Sequence, residues 1–96
     1  MSLQQQLVED LKAAMKSRDS VRTDTLRLLR AQLKDTEIDK GGELTAEDEL
    51  AVLSNAAKRR KEAIALYQKS DRKDLLDKEN LELEIISSYL PEQLSN

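Results

Sequence analysis

The sequence lacks several residue types on which catalytic and metal sites depend. It contains no cysteine, histidine, tryptophan or phenylalanine, and its only aromatic residues are two tyrosines. Without cysteine and histidine, the chain cannot form a disulfide, a thiolate nucleophile, an imidazole base or a zinc site with the usual ligands. It also has no glycine-rich phosphate loop and no calcium loop of the DxDxDG type. We therefore expect no catalytic residue, no metal site and no cofactor.

Long apolar segments are also missing. Charged residues appear soon after Met1, and no apolar run approaches the roughly 20 residues that span a membrane. The sequence therefore predicts neither a signal peptide nor a membrane segment. A cytoplasmic location is the resulting expectation, and the absence of cysteine suits a reducing compartment.

Glycine and proline are rare, and their positions divide the chain into helical segments. Gly41 and Gly42 form the clearest break, and Pro91 is the one proline. Elsewhere, apolar residues recur at intervals of three and four, which is typical of amphipathic helices. With N-caps at Ser2, Asp19 or Ser20, Thr45 and Asp71, the predicted helices cover residues 3–17, 21–37, 46–69 and 72 to 89 or 90. The prediction is one all-α domain over residues 1–96, an up-down four-helix bundle whose last two helices form a long antiparallel hairpin.

Charged residues interrupt the apolar stripes of these predicted helices. Arg60 replaces an apolar residue in the third helix, and Glu79 and Glu82 do so in the fourth. Counting outward from a turn at Ser70 and Asp71 puts Arg60 level with roughly residues 80 to 82. In the second helix, Arg22 lies beside a stripe of leucines. These positions predict an ion-pair network of Arg22, Arg60, Glu79 and Glu82. Arginines whose heads extend into solvent, or a functional site, are the alternatives.

Positive and negative charges are segregated along the chain. The net charge is −3, yet residues 1–34 and 58–73 are net positive, whereas residues 35–57 and 74–96 are net negative. Basic residues at helical spacing are candidates for binding nucleic-acid phosphates. A solvated basic face is the alternative, and the lack of neighbouring aromatics argues against base stacking. The candidates are Arg27, Arg30 and Lys34 on the second helix and Lys58 and Lys61 on the third.

The residues around the single proline suggest an apolar surface. Leu90, Pro91 and Leu94 follow the predicted end of the fourth helix, where no later helix is predicted to cover them. Uncovered apolar residues of this kind are a candidate contact for a protein partner.

Two stretches of the sequence resemble a known family. KRRKEAIALY, followed by DLLDKENLELEIISSYLPEQL, is similar to the YqeY-like proteins, and the resemblance extends over nearly the whole chain. This family is related to the tail domain of GatB, the B subunit of the aspartyl/glutamyl-tRNA amidotransferase. Family members continue into a carboxy-terminal helical subdomain after YLPEQLS, so the resemblance implies that this chain corresponds to their amino-terminal half, with that subdomain absent.

The resemblance implies a tRNA-associated accessory role. In the amidotransferase, the catalytic work lies outside the tail, which contacts tRNA. Glutamine-dependent amidotransferase activity is therefore implied only as a family label, and no catalytic residue is implied for this chain. The alternative is a protein-interaction helical bundle without nucleic-acid binding, favoured by the net negative charge and by the apolar residues near Pro91.

Overall fold

The structure, a computed structural model, describes residues 2–91. These residues form four α-helices and no strand. The predicted all-α class is therefore confirmed. Within this range, no helix is long and apolar enough to cross a membrane. The helices are α1 (Leu3–Ser17), α2 (Ser20–Lys40), α3 (Ala46–Tyr67) and α4 (Lys73–Ser87).

The chain divides into two compact units, Met1–Val52 and Leu53–Asn96. In the first unit, α1 and α2 pack against each other as a hairpin. Both helices bury apolar residues spaced by three and four, as an amphipathic pattern requires. Burying each leucine contributes about 1.5–3 kcal/mol relative to leaving it exposed. The buried apolar residues of the two helices are Leu7, Leu11, Ala14, Leu26, Leu29 and Leu33.

Capping residues set the bounds of the first two helices. The Ser2 hydroxyl accepts the Gln5 N–H while the Gln5 side chain accepts the Ser2 N–H, and this reciprocal pair begins α1. Arg18 ends α1 in the left-handed region at φ 61°. The Asp19 carboxylate then accepts the Arg22 N–H and begins α2. The predicted bounds of α1 and the predicted Asp19 cap are confirmed.

The glycine break follows α2 at Gly41. This residue has φ 78°, and its N–H bonds to the carbonyls of Glu37 and Ile38. Helix α2 therefore runs three residues beyond the predicted end at residue 37, because the left-handed cap comes only at Gly41. Thr45 then begins α3, and its hydroxyl accepts the Asp48 N–H.

The first turn of α3 is tied to the end of α2 by an ion pair. The Asp48 carboxylate accepts the Thr45 N–H and pairs with the Lys40 ammonium. Lys40, and then the backbone of Thr45, lower the pKa of Asp48. These contacts favour the ionised form of Asp48. Its negative charge also interacts favourably with the positive end of the helix dipole at the start of α3.

In the second unit, α3 and α4 form an antiparallel hairpin, which confirms the predicted pairing of the last two helices. The helices are shorter than predicted. Helix α3 ends at Tyr67 rather than residue 69, because Lys69 and Ser70 donate to carbonyls three residues back, which tightens the chain out of the α-helix. Helix α4 ends at Ser87 for the same reason, since Tyr89 and Leu90 also bond three residues back.

The predicted Asp71 cap of α4 is wrong. The N-cap of α4 is Arg72, which makes no side-chain capping bond. The Ser70 hydroxyl instead accepts the Arg72 N–H, and the Asp71 carbonyl accepts the Lys73 N–H. Arg72 pairs with Asp74 in the first turn of the helix.

Candidate functional site

Three charged side chains meet between α3 and α4. Arg60 Nε lies 3.1 Å from Glu82 Oε1 and 3.8 Å from Glu79 Oε1. The side chains of Arg60, Glu79 and Glu82 are 17%, 18% and 13% exposed, respectively. This arrangement follows from the sequence, because the stripe positions of two antiparallel helices face each other. We call these three residues the Arg60 cluster.

The Arg60 cluster is held by charge more than by directed hydrogen bonds. Arg60 Nε and Glu79 Oε1 are buried and have no hydrogen-bond partner among the described residues, although both belong to ion pairs. The Arg60 side chain is 17% exposed and its Nε is buried, so most of this side chain lies out of solvent, which disfavours the alternative in which the arginine head extends into water. One cation faces two carboxylates, so the cluster carries excess negative charge when all three groups are ionised.

Excess negative charge affects the titration of Glu82. Burial raises the pKa of Glu82, and hydrogen bonding and like charge from Glu79 raise it further. Arg60 and Lys78 oppose these effects through their positive charge. Desolvation disfavours the ionised form of a buried carboxylate unless a cation lies close to it. The positive charge of Arg60 therefore stabilises the ionised form of Glu82. The geometry supports a structural role in helix pairing.

Arg22 does not join this cluster. It belongs to the first unit, where it pairs with Asp19 at 3.6 Å across one turn, and its side chain is 43% exposed. Arg22 is therefore partly buried beside an acid, but that acid is Asp19 at the start of its own helix. Asp19 is the N-cap of α2, which draws the Arg22 head toward the exposed end of the helix. An exposed pair of this kind contributes at most about 1 kcal/mol.

Three candidate phosphate-binding residues lie on α2 in the first unit. Arg27, Arg30 and Lys34 are all exposed, and their spacing of three and four places them along one side of the helix. Arg27 Nη2 lies 3.6 Å from the Met15 sulfur. None of the three basic residues makes an ion pair with another described residue. We call them the α2 basic stripe.

The other two candidates, Lys58 and Lys61, border a groove in the second unit. Its volume is about 490 Å³. Ser54 lies one turn before Lys58 on the same side of α3, and Ser87 at the end of α4 contributes from the other helix. Neither serine is among the residues predicted to bind a ligand, although the spacing of residues 54, 58 and 61 is typical of one face of a helix.

The predicted apolar surface is only partly described. Leu90 is half-buried and Pro91 is exposed, and both line the same groove as Lys58 and Lys61. Leu94 lies outside the described residues. Among residues 2–91, no group of three or more acidic side chains is placed to hold a metal ion.

Comparison with known proteins finds fungal relatives. The chain is 40% identical over 85 residues to the "Altered inheritance of mitochondria protein 41, mitochondrial" of Lachancea thermotolerans, and 37% identical over 88 residues to the protein of the same name in Vanderwaltozyma polyspora. Each match covers 88% of this chain and 46% of the relative, so the chain spans about half the length of these proteins. It is also 32% identical to an uncharacterized protein of Schizosaccharomyces pombe, over 99% of this chain and 77% of that protein.

These relatives contradict the cytoplasmic expectation. Several of them carry the word mitochondrial in their names. The expectation rested on the absence of a signal peptide and of cysteine, neither of which distinguishes the cytoplasm from another reducing compartment.

The family assignment rests on a match over nearly the whole chain. The model of the family described as "Yqey-like protein" matches residues 4–96. This range includes the Arg60 cluster, the α2 basic stripe and the groove beside Lys58 and Lys61. The chain therefore belongs to the YqeY-like family, as the resemblance in its last two helices predicts.

Proposed function

We propose that this chain is a tRNA-associated accessory domain without catalytic residues of its own. The family to which it belongs resembles the tail of GatB, which supports a partner role in tRNA chemistry. The observation that carries the proposal is the α2 basic stripe. Its three side chains are exposed, lie along one side of a helix and have no ion-pair partner among the described residues.

An unpaired stripe of this kind suits the phosphate backbone. A cation that is already neutralised by a neighbouring carboxylate gains little from phosphate, whereas an unpaired one releases condensed counterions from the RNA when it binds. Three such residues over two turns of α2 match a run of phosphates better than an isolated charge. The domain would recognise RNA by backbone charge and shape.

The test is the salt dependence of tRNA binding. The affinity of the protein for tRNA is measured at several salt concentrations, for wild type and for the triple variant Arg27→Gln, Arg30→Gln, Lys34→Gln. Each lost phosphate contact should reduce the slope of log affinity against log salt by up to about 0.9, so the triple variant should lose up to about three units. Helix content by circular dichroism should be unchanged.

A control removes the same number of charges from α1 and its C-cap. The triple variant Lys12→Gln, Lys16→Gln, Arg18→Gln lowers the net charge of the first unit equally but leaves the α2 basic stripe intact. Its salt slope should stay close to that of wild type. If both triple variants lose the same slope, attraction by net charge alone explains the binding, and the α2 basic stripe is not the site.

A further inference from the structure

The groove in the second unit combines cationic, hydroxyl and apolar groups. Lys58 and Lys61 lie on one side of α3, with Ser54 one turn before them. Ser87 adds a second hydroxyl from the end of α4, and Leu90 and Pro91 form an apolar part of the wall. A groove of about 490 Å³ falls within the range of sites that enclose small ligands.

The electrostatics of the groove favour an anion. Among residues 2–91, no aspartate or glutamate lines it, and neither lysine makes an ion pair or side-chain hydrogen bond with a described residue. The end of a helix usually presents carbonyl oxygens that repel anions. In α4 these oxygens are already used, because the carbonyls of residues 84–87 accept N–H groups from Ser88, Tyr89 and Leu90.

The mixed lining narrows the class of ligand. Inorganic phosphate would use the lysines and serines but leave Leu90 and Pro91 uncovered, and a purely apolar ligand would leave two ammonium groups without a counterion. We propose that the groove binds a nucleoside 5′-monophosphate, either free or as the terminal residue of an RNA. The phosphate binds Lys58 and Lys61 through charge-assisted hydrogen bonds, and the base packs on Leu90 and Pro91.

The two sources of this ligand relate differently to the function proposed above. Binding of an RNA terminus rests on the proposed tRNA association, whereas binding of a free nucleotide does not. The site also differs from the α2 basic stripe in chemistry, because it offers an apolar surface to one unpaired base in addition to positive charge.

Calorimetric titration of the protein with AMP, adenosine and inorganic phosphate tests the site. AMP should bind more tightly than either of its two parts. Lys58→Gln with Lys61→Gln should weaken AMP binding by about tenfold per lysine and leave adenosine binding unchanged. Leu90→Ser should weaken the binding of AMP and adenosine but not of phosphate. Lys69→Gln removes a charge from the exposed loop between α3 and α4 and should change none of the three.

A second comparison separates the two sources of the nucleotide. A short oligoribonucleotide with a 5′-phosphate should bind more tightly than the same oligonucleotide with a 5′-hydroxyl. Replacing both lysines, Lys58→Gln with Lys61→Gln, should abolish this difference in affinity. Equal affinity of the two oligonucleotides, with AMP still bound, restricts the site to free nucleotides and overturns the RNA-terminus form.

Three results overturn the proposal as a whole. AMP binds no more tightly than inorganic phosphate, Lys69→Gln weakens AMP binding as much as Lys58→Gln with Lys61→Gln does, or a tetraglutamate peptide occupies the groove as tightly as AMP. The tRNA titration distinguishes failure of the nucleotide site from failure of the proposed tRNA-associated function. Salt-dependent tRNA binding without AMP binding overturns the nucleotide site alone, whereas AMP binding without tRNA binding overturns the proposed function alone.

Discussion

Replacing Arg60 with leucine should destabilise the protein at neutral pH. The change leaves Glu79 and Glu82, which are 18% and 13% exposed, without their shared counterion. Removing one partner of a well-buried ion pair costs about 3–5 kcal/mol, whereas an exposed pair is worth at most about 1 kcal/mol. Because all three side chains have low exposure, the cluster is closer to a well-buried ion pair than to an exposed one. We therefore expect Arg60→Leu to lower the free energy of unfolding by about 3 kcal/mol.

The loss should become smaller as the pH falls. Because the pKa of Glu82 is raised on folding, this group favours the folded state below its ordinary pKa of 4.5, and that stabilisation is lost as the pH rises through the raised value. Arg60 opposes the shift, so its removal should raise the pKa of Glu82 further. The Arg60→Leu variant should therefore be closest to wild type in acid. Adding Glu82→Gln should recover part of the loss at neutral pH.

Urea unfolding followed by circular dichroism, at neutral pH and near pH 4.5, measures these effects. Arg59→Leu is the matched control, because Arg59 is the adjacent arginine on α3 but is exposed and has no ion pair with a described residue. It should change stability by no more than about 0.5 kcal/mol. If Arg60→Leu matches Arg59→Leu at both pH values, the Arg60 cluster does not stabilise the hairpin and the electrostatic reasoning is wrong.

Two predictions concern the segment that joins α2 to α3. Thr45→Ala removes the hydroxyl that accepts the Asp48 N–H and should lower the free energy of unfolding, measured in urea, by about 1 kcal/mol. Thr36→Ala removes a hydroxyl from within α2 and should lower it by less. Equal losses in the two variants would contradict the capping role of Thr45. Gly41→Ala should cost about 1–2 kcal/mol because Gly41 has φ 78°, although no atom lies within 4 Å of the added methyl group. Gly42→Ala meets equally open space and carries no left-handed φ, so a thermal melt in which both alanine variants lose equal stability would refute the backbone explanation.

Local patterns predicted the helices well because the relevant interactions span only a few residues. The capping pair of Ser2 and Gln5 begins α1 at the predicted residue. The pairing of Arg60 with Glu82 was also predictable, since counting outward from a tight turn is a geometric operation on two regular helices. Errors are concentrated at helix ends, where bonds to carbonyls three residues back shortened α3 and α4 by amounts that periodicity does not encode.

The groove illustrates what periodicity does not reveal. Its α3 wall could be predicted from the spacing of Ser54, Lys58 and Lys61, but its other wall depends on how the chain leaves α4. After Ser87 the chain continues in tightened turns that place Leu90 and Pro91 beside α3. Bonds between the backbone groups of residues 84–90 decide that path, and side-chain patterns do not specify it.

The basic run KRRK, residues 58–61, shows how a helix places neighbouring charges in different surroundings. Successive residues of a helix point about 100° apart, so the four side chains cannot act as one patch. Arg60 is directed at two carboxylates of α4, while Lys58 and Lys61 border the groove and Arg59 is exposed. Variants within these four residues should therefore separate into two classes: loss of Arg60 lowers stability, whereas loss of the two lysines weakens ligand binding without lowering stability. Charge counted along the sequence treats all four residues alike, whereas the helix gives them different contacts and exposure.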